Sequence, residues 1–271
     1  MTITASLVNE LRTKTGVGLM ECKKALVETN GNVEDAVKKL RERGLAKAAK
    51  KADRTTKEGR IFSQTNNTNT SALLLEMNCE TDFVANNEEF IKLGNYIATQ
   101  LLNSSYSSSD SLETISIDNK NLNDIVSEAV LKLGENITVK QFKKVDNAAQ
   151  LSTYVHMNGK IGVLVEFSQT LDAETSKSIA MQIAATSPSY VKPEEVNSKE
   201  LENEKEIIRS QSKSEGKPEQ IIEKIVAGRI QKYYKEVCLI EQAYIKDDKQ
   251  TIKEILPKNV TVNNFTRYTL D

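Results

Sequence analysis

The sequence predicts an α+β protein with an N-terminal three-helix bundle and two related antiparallel-sheet α+β subdomains, the second carrying a helical-hairpin insertion. Three observations predict it. Apolar residues recur at helical spacing through the first 54 residues, strand-like and helix-like patterns then alternate, and their order occurs twice. At 271 residues, 38% hydrophobic and 28% charged, the chain is long enough for two or more units with their own cores. No apolar stretch approaches the ~18 residues a membrane helix needs. The opening "MTITASLVNELRTKTG" lacks the basic region and apolar core of a secretory signal. Cys22, Cys79 and Cys238 are odd in number and scattered, which favours free thiols in a reducing compartment. A cytoplasmic protein is expected, with no membrane partner.

The head comes first, over residues 1–54. Thr4 precedes a helix with Leu7, Val8 and Leu11 at helical spacing, ended by Gly16. In "GVGLMECKKALVETNG" the residues Leu19, Cys22, Ala25 and Leu26 share one face, and Asn30-Gly31 stops the helix. Asn32 caps a third helix, where Asp35 can complete a box-like cap and Val33, Val37 and Leu40 face inward. Three short helices with glycine turns make a bundle of the ubiquitin-associated type, which binds protein surfaces through the loop between its first two helices. That loop is "TGVG", followed by Leu19-Met20. Val17, Leu19 and Met20 either close the bundle or meet a partner; the sequence leaves both open. "LAKAAKKADRTTKEG" reads as a charged helical tail becoming a linker.

The body repeats itself. "ENITVKQFKKV" at 135–145 resembles "KNVTVNNFTRY" at 258–268, aligning Val139 with Val262 and Phe142 with Phe265. A helical segment precedes each, "LNDIVSEAVLKLG" and "KQTIKEILP". Upstream, "SALLLEMNC" matches "KIGVLVEFS", placing Glu76 opposite Glu166, and each follows another strand-like run, "GRIFSQT" or "LSTYVHM", with "NGK" at 158–160 a hairpin signal. The helices "NEEFIKLGNYIATQLL" and "ETSKSIAMQIAAT" come next. The first subdomain is assigned to residues 55–145 and the second to 146–188 plus 237–271. Residues 189–236 insert two amphipathic helices joined at "SEGKP". Apolar Ile207, Ile221, Ile222, Ile225 and Val226 on that hairpin invite contact with a partner or a second copy, a homodimer, unless they bury against each other. "NSSYSSSDS" at 103–111 reads as a flexible surface loop.

Charge is uneven. Residues 1–54 hold 12 Lys and Arg against 7 Asp and Glu, on a chain whose net charge is −1. Lys47, Lys50, Lys51 and Arg54 are candidates for nucleic acid, but no arginine-rich or aromatic-interleaved stretch accompanies them, so direct nucleic-acid binding is not expected. There is no G-x-x-x-x-G-K-[ST], G-x-G-x-x-G or C-x-x-C. A Cys79–His156 scheme could be drawn, but no spacing demands it. The chain is expected to grip another protein rather than carry active-site chemistry, with no cofactor.

One stretch resists a purely structural reading. "NCETDFVANNEEF" at 78–90 places Asp82-Phe83-Val84 between an ending strand and a helix beginning near Asn86, where a polar, exposed connection is expected. On burial statistics alone Phe83 belongs in the core. The stretch resembles the signature segment of the translation elongation factor Ts family. "TASLVNELRTKTGVGLMECKKALVETNGNVEDAVKKLRERGLAKAAKKADR", "HMNGKIGVLVEF" and "EGKPEQIIEKIVAGRIQKYYKEVCLIEQAYIKDD" continue that resemblance in order along the chain. It implies guanine-nucleotide exchange on elongation factor Tu, bound both with GDP and nucleotide-free. It implies that Phe83 wedges into the partner's GTPase domain and dislocates its magnesium, that Asp82 orients the loop, and that Thr81 and Val84 complete the segment. It also implicates Val17, Gly18, Met20, Lys23, Leu133, Gly134 and His156 in partner contact. A non-catalytic adaptor or an RNA-binding translation protein is the alternative.

Overall fold

The computed structural model describes residues 3–108 and 110–270. The head is three helices, α1 Ala5–Thr15, α2 Leu19–Glu28 and α3 Val33–Lys51. The Thr4 hydroxyl caps α1 by accepting from Leu7 N, and Gly16 ends it with φ 67°, a left-handed conformation that glycine adopts without strain. Asn32 Oδ1 accepts from Glu34 N and Asp35 N, so Asn32 caps α3 alone. Asp35 returns no bond and instead faces Lys38. Val8, Leu11, Val17, Cys22, Ala25, Leu26 and Leu40 form the head's core. Leu19 does not join them: at 45% exposure it lies outside, because the first turn of α2 overhangs the bundle.

The charged tail of α3 passes into an irregular connection only at residues 52–57. It stays helical through Lys51 and packs along α6 (Leu122–Leu133), whose Leu131 completes the head's core. Gly44 makes the crossing close: a Cβ there would stand 3.1 Å from the Ser127 carbonyl oxygen. Arg41 pairs with Asp124 across the seam.

Two three-stranded antiparallel sheets follow. The first takes β1 Glu58–Thr65, β2 Ala72–Cys79 and β5 Ile137–Val145 in the order β1-β2-β5. Between β2 and β5 run the single turn α4 Asp82–Ala85, α5 Glu88–Leu102, a small β3–β4 hairpin (Ser116–Ile117, Lys120–Asn121) and α6. The second sheet takes β6 Gln150–His156, β7 Ile161–Phe167 and β10 Val262–Thr269 in the order β10-β7-β6. It is served by α7 Ala173–Thr186, the hairpin helices α8 Ser198–Ser214 and α9 Glu219–Val237, a β8–β9 hairpin (Ala243–Tyr244, Asp247–Thr251) and α10 Ile252–Ile255. The segment "KQTIKEILP" is thus the end of a strand and one helical turn rather than a full helix.

Strand alternation sorts β2 onto two cores. Leu73, Leu75 and Met77 meet α5 and α6, while Ala72 and Leu74 join Ile61, Leu151 and Leu164 between the sheets. The sandwich therefore runs helices, sheet, sheet, helices. Its layers approach closely where glycine allows: a Cβ on Gly162 would stand 2.3 Å from Ile61 Cγ2, and one on Gly94 2.1 Å from Phe62 Cζ.

The repeat holds residue by residue. Phe142 lies opposite Leu75, and Phe265 opposite Val165. A bulge falls at Lys140 in one sheet and Asn263 in the other, each beside the matched glutamate. Glu76 takes an ion pair from Lys140 at 3.1 Å and a hydrogen bond from Gln141 at 2.7 Å; Glu166 accepts from Asn263 at 3.4 Å.

In the insertion, Ile208, Ile222, Val226 and Ile230 bury against each other, whereas Ile207 and Ile221 stay exposed. The serine-rich stretch is tied down at its described residues. Tyr106 packs on the first core and its hydroxyl accepts from Ser116 N, while Ser108 Oγ and the Ser104 carbonyl both bond Lys144. Ser109, also in that stretch, lies outside the described residues.

Candidate functional site

The connection after β2 is a helical turn, not a loop. Thr81 takes an extended backbone (φ −130°, ψ 156°) and caps α4, its Oγ1 accepting from Val84 N at 3.4 Å. Asn86 closes α4 and Asn87 caps α5, so the long helix begins at Glu88 rather than at Asn86. On so short a turn consecutive side chains splay widely. Val84 and Ala85 enter the first core, and Phe83 is left 84% exposed. Among the described residues Phe83 is more exposed than any other large apolar side chain, against 65% for Met20 and 64% for Met157.

Among the described residues the Asp82 carboxylate has no hydrogen-bond or ion-pair partner, while the Asp82 carbonyl accepts from Asn86 N at 3.0 Å and Asn86 Nδ2 at 2.9 Å. Two other carboxylates flank the turn. Glu135 accepts from Thr81 Oγ1 at 2.6 Å and Thr81 N at 3.0 Å, and Glu80 accepts from Asn136 N at 2.6 Å. That amide bond, reinforced by Arg54, holds the Glu80 carboxyl below the usual carboxylate range.

The other predicted residues lie on the turn before α2, on α2, at the end of α6 and at the end of β6. The turn at Gly16 abuts the last turn of α6, with Lys132 Cε 3.2 Å from where a Gly16 Cβ would be. Gly18, Met20 and Lys23 are all exposed, Met20 at 65%. Val17 is the exception, since its side chain is buried in the head's core and is not presented. Gly134 ends α6 at φ 80°. His156, exposed at the end of β6, takes part in a 2.8 Å hydrogen bond with the Tyr154 hydroxyl. Lys160 of its hairpin pairs with Glu58, itself opposite Cys79.

Sequence reasoning missed Met157. It occupies the hairpin tip at φ 50° and is 64% exposed, and the available signal was a large apolar residue in a turn where polar ones are favoured. The Cys79–His156 scheme finds no support. Cys79 is buried, donates to the Thr81 carbonyl at 3.2 Å, and has its thiol pushed up to about 12 by burial and the nearby Glu135. Among the basic candidates for nucleic acid, Lys47 pairs with Glu21 and Arg54 with Glu80, while Lys51 bonds the Gly134 carbonyl.

The family described as "Elongation factor TS" matches residues 80–271, beginning one residue before the cap of the Phe83 turn. Elongation factor Ts of Clostridium perfringens (strain SM101 / Type A) is 42% identical over 279 residues, covering 98% of this chain and 92% of that protein. The chain belongs to the elongation factor Ts family. Membership in the elongation factor Ts family makes it a translation elongation factor. No helix among the described residues is long and apolar enough to cross a membrane.

Proposed function

We propose that this member of the elongation factor Ts family promotes guanine-nucleotide exchange on elongation factor Tu in the cytoplasm. It binds the GDP-bound partner, drives GDP out and leaves as GTP loads. Phe83 carries the reading, because an 84% exposed ring on an anchored helical turn is presented for insertion into another surface. Burying one phenylalanine returns roughly 2–3 kcal/mol, and each ~1.4 kcal/mol of differential interaction changes an equilibrium tenfold. The ring displaces side chains that hold the partner's magnesium and phosphates, and the unpaired Asp82 carboxylate beside it supplies a polar contact. Met20, Lys23, Leu133, Gly134 and His156 hold the partner while the ring acts. Coupling is reciprocal, so nucleotide rebinding weakens the complex by the factor by which the complex weakened the nucleotide.

The test is stopped-flow release of fluorescent GDP from elongation factor Tu, with the intact chain and with Phe83→Ala. Fast release that falls in the variant supports both the exchange and the wedge. Absence of acceleration by the intact chain removes the proposal in favour of a non-catalytic adaptor.

A further inference from the structure

We infer that Glu135 is a positioning residue for the Phe83 turn, an inference that rests on the exchange reading above. A four-residue helical turn cannot sustain itself, since nucleation fixes several residues for a single hydrogen bond. Val84 and Ala85 anchor α4 from below, but its leading edge is held by Thr81, and Thr81 is held by Glu135. One carboxylate oxygen takes the Thr81 amide and the other takes its hydroxyl, both as charge-assisted bonds. The second bond orients the cap. With its proton committed to Glu135, Thr81 Oγ1 turns a lone pair toward Val84 N, which it meets at 3.4 Å. The chain of contacts from Glu135 through Thr81 to Val84 thereby sets the direction in which Phe83 leaves the turn.

The neighbouring residues repeat the arrangement in reverse. Glu80 accepts from Asn136 N at 2.6 Å, so residues 80–81 and 135–136 exchange carboxylate-to-amide bonds. Asn136 Nδ2 also donates to the carbonyls of Arg54 at 2.9 Å and Ala52 at 3.3 Å, and Lys51 bonds the Gly134 carbonyl. The segment 134–136 is therefore tied both to the end of α3 and to the Phe83 turn. Glu135 itself is half-buried and outside the apolar cores, so its removal leaves those cores whole.

The experiment uses the full chain with GDP-loaded elongation factor Tu, reading the maximal release rate and the half-saturating concentration separately. Glu135→Ala lowers the maximal rate about tenfold, the effect of losing charge-assisted bonds to the turn, and moves the half-saturating concentration less than about twofold. Glu135→Gln restores only part of the rate, because its amide oxygen keeps the bond from Thr81 N while its NH2 must donate to Thr81 Oγ1, reversing the bond that orients the cap. In a Phe83→Ala background Glu135→Ala adds no further loss, the non-additivity that action through the ring requires. Thermal unfolding of each variant accompanies the rates. Should Glu135→Ala fold poorly, Glu135→Asp, which withdraws the carboxylate by one methylene, carries the test. An unchanged rate in the folded variant, or losses that add in the double variant, overturns the inference while leaving exchange standing. No acceleration by the unaltered chain overturns the exchange reading, and this inference with it.

Discussion

Phe83 and Val84 are adjacent, yet the structure assigns them opposite consequences on truncation. Phe83 keeps 84% of its surface in water, whereas Val84 keeps 9%. Full burial of a phenylalanine is worth about 1.5–3 kcal/mol, so the small covered part of Phe83 accounts for less than ~0.5 kcal/mol. Alanine returns a few tenths as a better helix former. Phe83→Ala should therefore leave the melting temperature within about 2 °C. Val84→Ala removes two carbons from the first core at ~0.8 kcal/mol each plus a cavity term, which should lower it by roughly 3–8 °C. The release assay should invert the order. Phe83→Ala should slow maximal release roughly thirty- to hundredfold, the rate equivalent of 2–3 kcal/mol, while Val84→Ala at a temperature where it is folded should lose far less. Differential scanning calorimetry beside stopped flow reads both. A melting temperature that drops several degrees in Phe83→Ala would show the ring to be a core residue and refute the reasoning.

Three further outcomes follow from contacts already described. Gly94→Ala forces a Cβ to 2.1 Å from the Phe62 ring and should cost about 1–3 kcal/mol by urea unfolding; an unchanged midpoint would mean that β1 and α5 part easily. Asn32→Ala removes the acceptor of two α3 amides and should cost ~1 kcal/mol in the same assay. Burial raises Cys79 from an ordinary thiol value near 9.0 to about 12 and Cys238 to about 11. The folded state therefore holds these protons more tightly than the unfolded chain, and that stability is complete below pH 9 and lost as pH rises from 9 toward 12. Melting temperature should fall across that window, and Cys79→Ala should make the fall shallower; an identical slope would contradict it.

Much of the architecture was legible in the sequence because it is written in short-range patterns. Thr4, Gly16 and Asn32 act at neighbouring amides, and the alternation through "ALLLEM" fixes which residues of β2 face which core. The matched Phe142 and Phe265 sit in matched registers. What was not legible depends on distant partners or on direction. The packing of α3 along α6 could not be read, because nothing local shows Gly44 approaching Ser127 or Arg41 reaching Asp124, each 83 positions away. The facing of Asp-Phe-Val could not be read, since four residues carry no period to say which side is buried. A role for the segment was readable only through its family resemblance, and nothing local to it shows that Thr81 meets Glu135, 54 positions away.

The two copies explain why the Phe83 turn could be added where it is. In the second sheet the ladder between β7 and β10 closes just past Phe167, with Ser168 N donating to the Thr261 carbonyl and Thr261 N to Ser168 Oγ, and the chain then passes to α7 under the Asp172 cap. In the first sheet the corresponding ladder runs two rungs further, to Cys79 opposite Ile137. At the next positions backbone pairing gives way to side chains, Glu80 meeting Asn136 N and Glu135 meeting Thr81 N. Carboxylates are longer than a backbone carbonyl and accept two donors each, so they bridge strands that have begun to diverge. The first sheet thus ends on carboxylates that accept from backbone amides beside the Phe83 turn, whereas the second ends on a hydroxyl rung.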